Sequence, residues 1–206
     1  MLGLPKTTEL GKQLPKNAIY AKFQMNTAEK AKIDADISRI TIVNEVSAAK
    51  INIAEGEQVK SFFVLLVALK RKDFEDKTII TISKLIPQNM LLILECGDEA
   101  KLATYHTKLM QTDWKRKDDF SIELKGLNMD TVWENIIIQI GGIKVDQGNT
   151  LDEQIAVDEQ RMKLQKEIAK LEKQARAERQ PKKKFELAQK AKILKEELEA
   201  LDGKTC

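Results

Sequence analysis

Eight consecutive apolar residues, Phe62 to Leu69, make the longest unbroken hydrophobic run in the chain. A membrane span needs roughly 20, so the run suits a strand buried on both faces. Val59 to Lys70 is therefore predicted as the central strand. Met90-Leu91-Leu92-Ile93-Leu94 predicts a second buried strand, and Gly97-Asp98 a hairpin turn into a third over Ala100 to Thr107. Ile40 to Val43, Ala49 to Ile53 and Phe120 to Leu124 predict three more. Helical period takes over elsewhere. Asn26 and Glu29 have the spacing of a capping box and open a helix that ends near Ser38. Asp73 is placed to cap a second helix that Ile86-Pro87 stops. Asp130 is placed to cap a third, whose stripe Val132, Trp133, Ile136, Ile137 and Ile140 closes at Gly141-Gly142.

From Leu151 onward the pattern changes to a seam. Val157, Leu164, Ile168, Leu171 and Ala175 recur at heptad-like spacing, as do Leu187, Ala191, Leu194, Leu198 and Leu201. Arg179-Gln180-Pro181-Lys182-Lys183-Lys184 carries no seam residue, and a proline inside a helix costs on the order of 3 kcal/mol. The two seams then predict an antiparallel helical hairpin, with a first helix of roughly 27 residues and about 40 Å. The alternative is one long kinked helix that dimerises in parallel. The predicted fold is an α/β (α+β) mixed-sheet domain with a C-terminal coiled-coil hairpin. Residues 1–25 form an extended basic arm, 26–145 the α/β domain, 146–150 a linker and 151–202 the hairpin. The arm rests on the repeat Leu4-Pro5-Lys6 and Leu14-Pro15-Lys16, since each proline favours extended geometry before it.

Composition refines this picture in two places. Charged residues reach 33%, but net charge is only +3, so electrostatic recognition must come from local clustering. The elbow between the seams has that clustering. Lys173, Arg176, Arg179, Lys182, Lys183 and Lys184 gather there, while acids mark the root and the tail. Such an elbow suits a phosphate backbone, DNA or RNA. The plainer reading is a solvated helical surface with intrahelical ion pairs. Trp114 beside Lys115 and Arg116 is a second candidate, by stacking on a base. Val157, Leu164, Ile168, Leu171, Leu187, Leu194 and Leu198 are the candidate partner-binding residues. Two cysteines, Cys96 and Cys206, offer neither a disulfide framework nor a metal pair. With no signal-like start and no membrane-length apolar run, the expected setting is cytoplasmic.

Chemistry is thinly represented. His106 is the only histidine, no glycine-rich phosphate loop occurs, and no cofactor or metal is expected. A divergent metal-dependent nuclease is the enzyme worth weighing. It would use Glu45 and Glu95 as ligands and Lys70 near the attacking water, but Ala68 stands where a carboxylate two residues before that lysine is needed.

Several segments together resemble a bacterial family, domain of unknown function 4391. They are Leu4-Pro5-Lys6 through Leu14-Pro15-Lys16, Leu69-Lys70, Ile86-Pro87 leading into Leu91-Leu92-Ile93-Leu94, and Tyr105-His106-Thr107-Lys108 with Thr112-Asp113-Trp114. Trp133-Glu134-Asn135 and the stretch from Leu171-Glu172-Lys173 to Phe185-Glu186-Leu187 complete the set. The resemblance implies an α/β body with a C-terminal coiled coil. It also implies an accessory subunit beside a helicase or DNA methyltransferase in a restriction-like defence operon. A purely structural coiled-coil partner is the alternative.

Overall fold

The computed structural model describes residues 2–84 and 87–203. Ile86, expected to end a helix, and Cys206 lie outside them. The chain divides into two compact units, residues 1–142 and 143–206.

The first unit is built on a seven-stranded, mostly antiparallel sheet. In chain order its elements are β1 (Glu9–Leu14), α1 (Lys16–Lys22), α2 (Thr27–Asp36), β2 (Ile37–Ser47), α3 (Ala48–Ile51), β3 (Ser61–Leu69) and α4 (Asp76–Ser83). β4 (Asn89–Cys96), β5 (Glu99–Tyr105), β6 (Leu109–Gln111), β7 (Lys115–Arg116) and α5 (Met129–Gly141) follow. The strands lie in the order β1-β2-β3-β4-β5-β6, with β7 also on β5. Only β3 and β4 are parallel, in register from Phe62↔Asn89 to Ala68↔Glu95, and α4 makes the crossover.

β3 is apolar from Phe62 to Leu69, and both its faces carry fully buried side chains. Leu65, Val67 and Leu69 share a core with Ile19 of α1, Ile33 of α2, and Ile79 and Ile82 of α4. Successive side chains on a strand point to opposite faces. Phe62 accordingly meets Trp133 of α5, ring centroids 5.1 Å apart. Each such side chain, fully buried, contributes roughly 1.5–3 kcal/mol.

Five expectations are corrected. α4 begins at Asp76 after Glu75, with no side-chain cap, so Asp73 does not cap it. The N-terminal segment is folded, not an extended arm. β1 pairs with β2 (Lys12↔Ile42, Leu14↔Ile40), Pro15 precedes α1, and Ile19 is fully buried. Ala49 to Ile53 is not a strand. The helix-favouring run Ala48-Ala49-Lys50-Ile51 makes one turn, which Asn52 ends in the left-handed region at φ 55°. Phe120 to Leu124 is not a strand either. β6 and β7 pair with β5, and Ile122 merely donates its N–H to the Leu2 carbonyl at 3.1 Å. Finally, Asn128, not Asp130, caps α5, in a reciprocal box with Thr131.

Asp130 is instead a clamp. Its carboxylate accepts the N–H groups of Glu57 (2.6 Å), Gln58 (3.1 Å) and Val59 (2.7 Å), fixing the loop that feeds β3. These donors hold its carboxyl below the ordinary carboxylate range, Val59 most strongly. Gly56 is required beside it, because a Cβ there would lie 2.4 Å from Asp130 Oδ1.

The second unit contains α6 (Leu151–Ala177) and α7 (Pro181–Gly203). A capping box of Thr150 and Glu153 starts α6. Buried Gln154, in the first turns of α6, accepts from the Asp146 N–H and the Asn149 amide of the segment before it at 3.1 and 3.0 Å. α6 spans 27 residues and ends at extended Glu178. Pro181 opens α7, where its missing N–H removes no intrahelical bond. A continuous helix through Pro181 is therefore not formed. The interruption is shorter than the sequence suggested, and Lys182, Lys183 and Lys184 belong to the first turn of α7.

Candidate nucleic-acid interface

The seam of the second unit brings α6 and α7 side by side. Leu164, Ile168, Ala175 and Ala191 are buried, while Val157, Leu171, Leu187, Leu194 and Leu198 are half-buried. Glu172 of α6 accepts a hydrogen bond from Lys195 of α7 at 2.7 Å and from Arg176 at 3.2 Å. The Lys195 bond and charge hold the Glu172 carboxyl below the usual range. Ala175, Ala188 and Ala191 line the depression between the helices next to this bridge. Their small side chains leave room for close approach at that level.

Beyond the bridge every residue from 179 to 186 is exposed. Of the predicted phosphate-binding residues, Arg176 is committed to Glu172. Lys173, Arg179, Lys182 and Lys184 form no ion pair among the described residues. Glu178 accepts the Gln180 N–H at 2.9 Å. That bond, the Arg179 N–H and the charge of Lys183 lower its pKa. Three lysines thus occupy the positive end of the α7 dipole, where cations are disfavoured. No acid stands in that first turn. α6 begins the opposite way, with Asp152 and Glu153 in its first turn.

Phe185 was not singled out from the sequence as a site residue, yet it is 68% exposed beside these lysines. The signal was available: it is the lone aromatic after Trp133, and the seam spacing skips it.

Trp114, Lys115 and Arg116 belong to the first unit. Lys115 and Arg116 form β7 and are exposed. Trp114 does not offer a bare stacking face. It packs on the core, and the ammonium groups of Lys72 and Lys101 sit 5.4 and 5.6 Å from its ring centroid. Lys101 also lies 5.1 Å from the Phe74 ring, and burial there pushes its amine below the ordinary lysine value. This cation–π assembly satisfies the tryptophan internally.

The residues weighed for a nuclease do not converge. Glu45 lies opposite Phe63 on β3, and Glu95 opposite Ala68. Those β3 positions are about 16 Å apart at 3.3 Å per residue. Glu45 pairs with Lys50 at 2.8 Å, Glu95 with Lys117 at 3.3 Å, and Lys70 Nζ donates to the Asp34 carbonyl at 2.6 Å. Among the described residues no group of three potential metal ligands occurs, and no helix is long and apolar enough to cross a membrane.

Comparison with known proteins finds no matching curated protein and no matching solved structure. The family model described as domain of unknown function, DUF4391, matches residues 2–198, and the chain belongs to that family.

Proposed function

We propose that this protein is a non-enzymatic assembly subunit that grips nucleic acid at the basic elbow of an antiparallel coiled-coil hairpin. The observation that carries the reading is the wholly exposed run 179–186, with its lysines in the first turn of α7. Two helices joined by a three-residue break, and packed side by side, must run in opposite directions. The elbow then projects as a cluster of positive charge that Glu178 offsets only in part, and phosphates supply the negative charge missing from the first turn of α7. The surrounding assembly is a bacterial DNA-processing or phage-defence complex. In it the α/β unit docks a larger subunit of helicase or DNA methyltransferase type. Fluorescence anisotropy of the intact chain with labelled DNA and RNA tests the contact. Binding should be present at low salt and markedly weakened in the triple variant Lys182→Glu/Lys183→Glu/Lys184→Glu. Failure of the intact chain to bind any of these oligonucleotides refutes it.

A second reading, a purely structural coiled-coil partner, draws on Met162 and Ile193. These seam-flanking apolar side chains are 51% and 57% exposed, as they would be if another helix covers them. Truncation after residue 148 would then abolish complex formation without changing nucleic-acid behaviour.

A further inference from the structure

Phe185 is out of place for a helix whose only task is to pair with its neighbour. At about 100° per residue, Leu187 and Leu194 lie roughly 200° and 180° around α7 from it. The seam therefore faces one way and the phenyl ring the other, which accounts for its 68% exposure. The same arithmetic puts Lys182, Gln189 and Lys192 within about 60° of Phe185. These four residues make a stripe with spacings of three, four and three, about 15 Å long. Lys182 forms no ion pair among the described residues, and Lys192 holds Glu196 only at 3.8 Å, with both side chains more than half exposed.

Register isolates the ring further. Glu172 meets Lys195, and Ala175 shares its depression with Ala188 and Ala191. With the helices antiparallel, the last residue of α6, Ala177, comes level with about residue 189 of α7. The first two turns of α7 then extend roughly 10 Å past the end of α6. Phe185 sits on that overhang, with the lysines around it.

We infer that Phe185 is a stacking platform for an unpaired base, so that the elbow selects single-stranded over fully paired nucleic acid. This rests on the proposed nucleic-acid role and specifies its ligand. A ring flanked by amines along one helix face matches what a single strand presents, phosphates alternating with exposed base faces. A duplex stacks its bases internally and offers the ring nothing. A protein partner would call for a wider apolar patch. Around Phe185 its face carries Lys182, Gln189 and Lys192, with Pro181 and the small Ala188 as its apolar neighbours.

The test compares the intact chain with Phe185→Ala, Phe185→Trp and the triple lysine-to-glutamate variant. Each is titrated against a single-stranded oligonucleotide, the same sequence as a blunt duplex, and vesicles of mixed neutral and anionic lipid. Phe185→Ala should weaken single-strand binding about tenfold and change duplex binding less than twofold, with Phe185→Trp restoring the loss. Photocrosslinking with iodouridine in the single strand should label the peptide that contains residue 185. Unchanged single-strand affinity in Phe185→Ala, equal losses on both nucleic acids, or a crosslink elsewhere overturns the inference. So does Phe185-dependent binding to the vesicles without single-strand preference. If the lysine variant loses binding while Phe185→Ala does not, the stacking role falls and the phosphate contact stands. If the intact chain binds neither nucleic acid, both fall together.

Discussion

Ile168→Ala isolates the dependence of the elbow on the seam behind it. Ile168 is 8% exposed, one of two large apolar residues buried in the middle of α6. The substitution removes three carbons, worth about 2 kcal/mol at roughly 0.8 each. The cavity adds to that, within the range of roughly 2–5 kcal/mol seen for such truncations. The second unit has little to spare, because its seam is narrow and isolated helices are marginal in water. A loss of about 2 kcal/mol corresponds to roughly a thirtyfold rise in the open population. Hydrogen exchange of the intact chain reads this directly. Amides in α6 and α7 should exchange about thirtyfold faster, while those of β3 and β4, in the other compact unit, keep their protection. Met162→Ala, on an exposed position of the same helix, should leave both patterns unchanged. Equal loss of protection in β3, or none in α7, would refute the claim that the two helices stand by their mutual seam.

Other consequences can be measured. Reversing Lys182, Lys183 and Lys184 should flatten the dependence of log affinity on log salt by about 2, since each phosphate contact on a single strand contributes about 0.7. Titrations from 50 to 200 mM salt that keep the slope would exclude those lysines from the contact. Gly56→Ala should destabilise the α/β unit by roughly 1–3 kcal/mol through overpacking. Combined with Asp130→Asn it should cost less than the two singly, because both disrupt one clamp; strict additivity in urea denaturation would contradict this. The Glu172 carboxyl is depressed in the folded state. Its contribution is therefore full above the unfolded value of about 4.3 and is lost as pH falls through the lower folded value. Protection in α6 and α7 should hold from pH 7 to 5 and fall in more acid solution, and Glu172→Gln should remove that component.

What the sequence revealed were the features that depend on near neighbours. The Asn26–Glu29 box, the double-sided burial of β3, the Gly97-Asp98 hairpin between β4 and β5 and the length of α6 each follow from residues a few positions apart. What stayed hidden depends on distant partners. β1 is a strand because β2, almost 30 residues later, accepts it at the sheet edge. Residues 120–124 make only an isolated bridge, Ser121 to Leu2 at the far end of the chain, while two other short strands pair with β5. Trp114 beside three basic residues resembles a stacking platform, until Lys72 and Lys101 arrive from elsewhere in the chain to cover the ring. The same blindness missed Asp130, whose donors lie more than 70 residues upstream.

The two helix starts within the second unit treat the dipole in opposite ways. α6 opens with Thr150 capping, Glu153 returning the bond, and Asp152 and Glu153 facing the positive dipole end. α7 opens with Pro181 and three lysines against the same field, then exposes a phenyl ring. Both departures run against the stability of the two helices alone, and they fall within five consecutive positions. Glu178, just before the helix, meets only part of the lysines' charge, through the Gln180 N–H and Lys183; local rules broken together are expected where a ligand supplies the rest. An anion would offset the lysines, and a flat apolar face would cover the ring. A single strand of nucleic acid has both groups, repeated at short intervals. Simple solubilisation of a helix would explain the lysines but leaves the ring without a reason to be there.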